Sequence, residues 1–406
     1  MNTVDFYANP KKTAPGGGAP LADFSPAAAA RVMAFHRSFR EYAPTPLVRL
    51  SGLAKKLGLA DILVKDESKR FGLNAFKVLG GSYAIGRILA ERLNRPIESL
   101  SREELASGAV RKQLGDITFV TATDGNHGRG VAWTAQQLGQ KAVVFMPKGS
   151  AEIRAKNIRA TGAECHITDY NYDDSVRLAD KYANEHGGIM VQDTAWEGYE
   201  DIPRWIMQGY MTLAVESVEQ MRAMGIEKPT HLFLQAGVGS FAGAALGYMA
   251  VALGNDLPVT TIVEPHIANC ILRSLKATDG TPKIVTGDMQ TIMAGLACGE
   301  PSTISWGVLR DYSDAGISCP DYIAANGMRI LAAPVPGDTP VVSGESGAVT
   351  TGLVEWLMRA PEGRDIAAKL GLTADSTIML VSTEGDTSPE LYRDIVWHGK
   401  QSEQGR

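Results

Sequence analysis

Short β-branched runs alternate with longer amphipathic stretches along nearly the whole of this 406-residue chain. Strands are expected at 62–65, 117–122, 141–146, 164–168, 188–192, 231–235, 259–263 and 377–382, each short and flanked by turn residues. Helical periodicity fills the intervals at 76–93, 127–138, 151–160, 172–185, 202–224, 241–253, 320–331 and 347–358. Strand and helix in alternation mean βαβ units, hence mainly parallel sheets covered on both faces. So many strands over this length fit an α/β fold of two doubly wound domains. An eight-fold barrel is the alternative, but the Gly-rich turns gather at a few strand ends instead of recurring around a ring. The chain is expected to form a large domain from 1–84 and 201–406, with a small domain over 85–200. The first 40 residues read as an arm, Pro/Gly-rich and then helical over 26–39.

Composition narrows the function. Hydrophobic residues at 44% and charged residues at 21% describe an ordinary globular protein. The chain has no apolar run of the roughly 18 residues a membrane span needs. Its N-terminus lacks the apolar core of a secretory signal. A net charge of −5 without a Lys/Arg cluster argues against nucleic acid as a partner. Cys165, Cys270, Cys298 and Cys319 include no CxxC pair, so no metal site is expected. Reduced thiols of a cytoplasmic protein are the natural reading, with pairing of Cys270 and Cys298 left open.

Four strand-end segments hold residues suited to chemistry, because ligands of open α/β sheets bind at carboxyl ends of strands. Lys77, in Asn74-Ala75-Phe76-Lys77, opens a helix between Phe76 and Val78. An apolar flank disfavours the ammonium and favours a nucleophilic amine. Asp124-Gly125-Asn126-His127-Gly128 joins a strand to a helix, whose first N–H groups are free to meet a ligand. Gly237-Val238-Gly239-Ser240 is a glycine loop suited to a phosphate, yet neither a Walker loop nor a full dinucleotide fingerprint, since Ala242 fills the last position. Ser382-Thr383-Glu384-Gly385-Asp386 ends the last strand with hydroxyls able to meet a heterocycle nitrogen. Each segment alone also fits plain structure: a lysine with a buried stem, a capped turn, a polar loop.

In order, Thr45-Pro46-Leu47 and these four segments resemble the fold-type II pyridoxal-phosphate enzymes, the tryptophan synthase β-like group, over roughly residues 43–390. Asp124, where most relatives carry a small residue or hydroxyl, together with FGLNAFKVLGGSYA and VQDTAWEGYEDIP, makes the chain similar to the diaminopropionate ammonia-lyases. The resemblance implies pyridoxal 5'-phosphate as cofactor and Lys77 as its covalent anchor, with Phe76 beside it. Gly237, Val238, Gly239 and Ser240 would cradle the phosphate, and Asn126 would bond the ring hydroxyl. Ser382 or Thr383 would face the pyridine nitrogen. It implies α,β-elimination of a small amino-acid substrate, 2,3-diaminopropionate of L and D configuration, to pyruvate and two ammonia. Lys77, Asp124 and Asp193 would be catalytic, and the protein a homodimer. Another fold-type II β-eliminase, such as a serine/threonine dehydratase, is the alternative; a non-catalytic metabolite-binding protein is the reading from outside the class.

Overall fold

A computed structural model describes residues 4–123 and 125–402. Two sheets organise them. The larger has seven strands in the order β1 (Asp5–Ala8), β10 (Ala315–Cys319), β9 (Val259–Pro265), β8 (His231–Gln235), β11 (Thr377–Ser382), β3 (Asp61–Asp66) and β2 (Leu47–Arg49). Its five inner strands are parallel, and β1 and β2 close the edges antiparallel. The smaller sheet is parallel throughout: β6 (Glu164–Ile167), β5 (Lys141–Met146), β4 (Thr118–Ala122) and β7 (Ile189–Met190). β3, β8 and β10 are buried along their full length, which is why β3 and β8 read as unbroken runs instead of alternating ones. The α/β, mainly parallel architecture expected from the sequence is the one present.

Three strands escape the sequence. β1 and β2 are short edges. In β10, Gly316 and Ser318 dilute the apolar signal, and the glycine has a packing reason: a Cβ there would lie 2.9 Å from Leu275 Cδ1. The unexpected helices, among them Ser51–Leu57, Cys270–Lys276 and Pro361–Leu370, have ten residues or fewer. That is less than the roughly 11-residue window over which helical periodicity declares itself.

The N-terminal segment corrects the reading of it as an arm. β1 adds to the large sheet, Asn9 Nδ2 donates to Arg310 O (2.7 Å), and Lys12 pairs with Asp314 (2.7 Å). The helix Pro26–Arg37 ends on fully buried His36, whose ring nitrogens bond Thr212 Oγ1 (2.7 Å) and Leu79 O (3.0 Å).

One helix, Val78–Arg92, lies between the two lobes. It packs tightly on Asp201–Ala223, where a Cβ on Gly209 would come 2.3 Å from Leu79 O. On its other side a Cβ on Gly130, in the helix Asn126–Gln137, would lie 2.7 Å from Val78 Cα. Backbones that approach this closely tolerate no added methyl group. The N-terminus of Val78–Arg92, and with it Lys77, is therefore fixed between the lobes.

Candidate active site

Lys77 reaches its position through a short backbone pairing. Asn74 adopts a left-handed turn (φ 61°), Gly385 N donates to Asn74 O (3.0 Å), and Phe76 N donates to Thr383 O (3.1 Å). The first and last of the four segments are thus hydrogen-bonded side by side. Phe76 packs between Tyr210 and Phe241, with ring centroids 4.7 and 4.8 Å away. Lys77 Nζ then lies 2.7 Å from Asp193 Oδ2. Burial alone would push the Asp193 carboxyl up, but Lys77 and His127 beside it outweigh that and hold it down at about 2. It is ionised across the working pH range.

Asp193 itself is held from several directions. Ser240 Oγ donates to its backbone carbonyl (2.5 Å), and Tyr172 Oη donates to Oδ1 (3.4 Å). His127 is buried and its Nε2 bonds Val191 O (2.7 Å), fastening the helix Asn126–Gln137 to the end of β7. Tyr199 accepts from Gln192 N (2.8 Å), donates to Met190 O (3.0 Å) and stacks on Trp196, so these two aromatic residues brace the loop that carries Asp193.

Beyond β8, residues 236–239 form a turn into the helix Ser240–Leu253. Gly239 has φ 95°, and a Cβ there would meet Leu309 Cδ1 at 2.8 Å, so glycine is required twice over. A Cβ on Gly237 would come 3.1 Å from Cys298 Sγ. The N–H groups of Gly237, Val238 and Gly239 find no backbone acceptor among the described residues. They stand at a helix N-terminus, where the peptide dipoles favour an anion.

The cavity bounded by Lys77, Asn126, Asp193, Gly237–Ser240 and Thr383 also contains three polar atoms, two of them on residues, Tyr210 and Gln235, that sequence reasoning missed. Tyr210 Oη, Gln235 Oε1 and Ser346 Oγ are buried there without a hydrogen-bond partner among the described residues. An unsatisfied buried polar group costs about 1–3 kcal/mol. Three around one cavity, beside an anion cradle and a lysine, fit a polar, phosphorylated heterocycle. Glu384, in a segment singled out from the sequence for its hydroxyls alone, accepts from Asn126 Nδ2 (2.5 Å) and Ser346 N (3.2 Å). The signal for Gln235 was present, as a polar residue ending an otherwise apolar strand; Tyr210 lies inside a long helix and carried none.

The sequence left two hydroxyls for the ring nitrogen, and the structure separates them. Ser382 does not line the cavity; its Oγ donates to Ser343 Oγ (2.8 Å). Thr383 does line it, and its Oγ1 accepts from Gln235 Nε2 (3.2 Å). Asp124 lies outside the described residues. Cys270 and Cys298 are both free thiols. A cleft of about 710 Å³, bordered by Lys148, Asn171, Tyr172, Asp288, Thr291 and Glu345, opens beside the cavity and shares Tyr172 with it.

A half-buried lysine facing a carboxylate, an anion-binding glycine turn and paired, mainly parallel-sheet lobes point to a pyridoxal-phosphate-dependent enzyme. The family model described as pyridoxal-phosphate dependent enzyme matches residues 39–367. The chain is 55% identical over 400 residues, 98% of its own length and 99% of the relative's, to diaminopropionate ammonia-lyase of Salmonella typhimurium. The crystal structure of holo diaminopropionate ammonia lyase from Escherichia coli superposes with a TM-score of 0.92 at 50% identity, covering 99% of this chain and 98% of that one. The same enzyme in complex with D-serine gives 0.90 at 50% identity, over 98% of each chain. The chain belongs to the pyridoxal-phosphate dependent enzymes, in the group of the diaminopropionate ammonia-lyases.

Proposed function

We propose that this protein eliminates ammonia from 2,3-diaminopropionate, releasing pyruvate and a second ammonia after hydrolysis. The 2.7 Å contact of Lys77 Nζ with the ionised carboxylate of Asp193, inside the cavity just described, carries the reading. Lys77 would anchor pyridoxal 5'-phosphate covalently, and Gly237, Val238, Gly239 and Ser240 would hold its phosphate. Asn126 would meet the ring hydroxyl, and Thr383 the ring nitrogen. Bound there, the cofactor supplies an electron-withdrawing ring that stabilises negative charge at the substrate's Cα.

The chain's own groups do the rest. The amine of Lys77 would serve as the base for the Cα proton of the L isomer. Asp193 holds the positive charge on that amine and stands ready for the C3 ammonium, an amine being a poor leaving group unless protonated. Asp124 is our choice of base for the opposite, D, face.

The test is a pyruvate assay with both isomers of 2,3-diaminopropionate, alongside serine and threonine, with an absorbance spectrum of the bound cofactor. Pyruvate from both isomers is expected. Asp124→Asn should lose D-isomer turnover by about 100-fold, the scale of a positioned base, while keeping most L-isomer turnover. Equal losses would defeat the two-base assignment. Faster turnover of serine or threonine would shift the enzyme to the dehydratases.

Residues 1–84 with 201–406 are read as the large domain and 85–200 as the small one, because the two sheets sort along that division. A homodimer is expected from the family likeness and is measurable by light scattering. A cytoplasmic setting fits the four free cysteines, and no helix among the described residues is long and apolar enough to cross a membrane.

A further inference from the structure

Arg154 takes no part in the chemistry above, yet its side chain is only 6% exposed. It lies on the helix Glu152–Arg159 of the small-sheet lobe, and its guanidinium crosses to the other lobe. There Nη2 meets Glu345 Oε1 (3.1 Å) and Thr387 Oγ1 (3.2 Å), and Nε donates to Ser388 Oγ (3.1 Å). Its stem lies flat on Gly125, where a Cβ would fall 2.9 Å from Arg154 Cδ. Thr387 in turn donates to Glu384 Oε2 (3.3 Å), the same oxygen that accepts from Asn126 Nδ2. The contacts close a ring: Gly125, Arg154, Thr387, Glu384, Asn126 and back to Gly125.

We propose that Arg154 is a positioning residue that pins the turn bearing Asn126 to the Glu384–Ser388 loop. The joining of the two lobes and the presentation of Asn126 to the cavity then become one event. A guanidinium suits this task because its planar fork meets several acceptors at once, which a lysine's point charge does not. Loosening it would leave the phosphate turn intact, since that turn lies outside the ring, and would weaken the hold on Asn126 and so on substrate. This inference rests on the proposed lyase reading for its kinetic arm and is independent of it for its structural arm.

Arg154→Met keeps the stem against Gly125 and removes the head; Arg154→Lys returns a charge. For Arg154→Met we expect KM for 2,3-diaminopropionate to rise about tenfold with a smaller change in kcat, as when binding rather than the chemical step is impaired, and Arg154→Lys to recover part of it. In the holoenzyme, amide hydrogen exchange over 125–130 and 384–388 should quicken about fivefold in Arg154→Met, with the remaining peptides unchanged, as local opening without global unfolding requires. Unchanged exchange and an unchanged KM would overturn the proposal, as would exchange quickened uniformly along the chain. If Arg154→Met does not fold, Thr387→Val, which breaks only the hydroxyl relay, decides by the same two readouts. A parent protein without diaminopropionate turnover would sink the function and leave the exchange result to judge the clamp.

Discussion

Asp193 is the residue on which the chemistry turns. A buried carboxylate is tolerated only with a cation beside it, and Lys77 supplies one at 2.7 Å. Removing one partner leaves the other uncompensated. Asp193→Asn is therefore expected to lower kcat/KM by about 100-fold or more, the range of a lost acid–base group, in a steady-state pyruvate assay. The two hydroxyls of the last strand end offer a second test. Thr383→Ala should alter the absorbance of the bound cofactor and slow turnover about tenfold, while Ser382→Ala, which loses bonds to Ser343 Oγ and Glu384 O outside the cavity lining, should keep most turnover and cost about 1 kcal/mol of stability. The reverse ranking would return Ser382 to the ring. Lys77, Asn126 and the glycine turn were legible because they sit in ordered motifs. Tyr210 was not, because it reaches the cavity from inside a long helix, through a facing that exists only once distant segments have met. The one-residue choice between Ser382 and Thr383 has the same cause: successive strand residues face opposite ways, and the pattern alone does not fix which is inward.

At the scale of elements, the helix Pro26–Arg37 shows how a segment read as an arm becomes structural. Its last turn carries His36 into the junction of Val78–Arg92 and Asp201–Ala223. Burial, helped by the charge of Arg70, depresses the His36 pKa from 6.5 to about 3. The neutral ring thus favours the folded state above pH 6.5. On acidification the unfolded chain takes up a proton near 6.5 and the folded one does not until about 3. Stability contributed by this group falls through that window by about 1.4 kcal/mol per pH unit. The melting temperature of the parent should drop more steeply between pH 7 and 5 than that of His36→Asn, which starts lower and lacks the titration; parallel profiles would refute this. The long elements were readable because periodicity accumulates over many residues. The edge strands and short helices were not, since their existence depends on a neighbour: β1 has no reason to be a strand without β10 to pair with.

The whole molecule is two parallel-sheet lobes held around one helix and one cavity, and the α/β class follows from alternation alone. What the sequence left unstated was how the lobes meet, because the glycine and apolar contacts at that junction come from helices far apart in the chain. The three unsatisfied buried atoms and the anion cradle around the cavity are groups that a bound cofactor would satisfy. Binding to the folded state alone adds RT ln(1 + [L]/Kd), about 2.7 kcal/mol at a hundredfold excess over Kd. Stripping the cofactor should lower the melting temperature by several degrees, and restoring pyridoxal 5'-phosphate should recover it; an insensitive melting curve would contradict the cavity assignment. The central place of β11, between β8 and β3, has its own consequence. It is the last of the sheet's strands to leave the ribosome, yet it fills the middle of the sheet, and the residues just after it pair with 74–76. A nascent chain stopped short of residue 377 would lack the strand that joins β8 to β3, so vitamin capture has to await its synthesis.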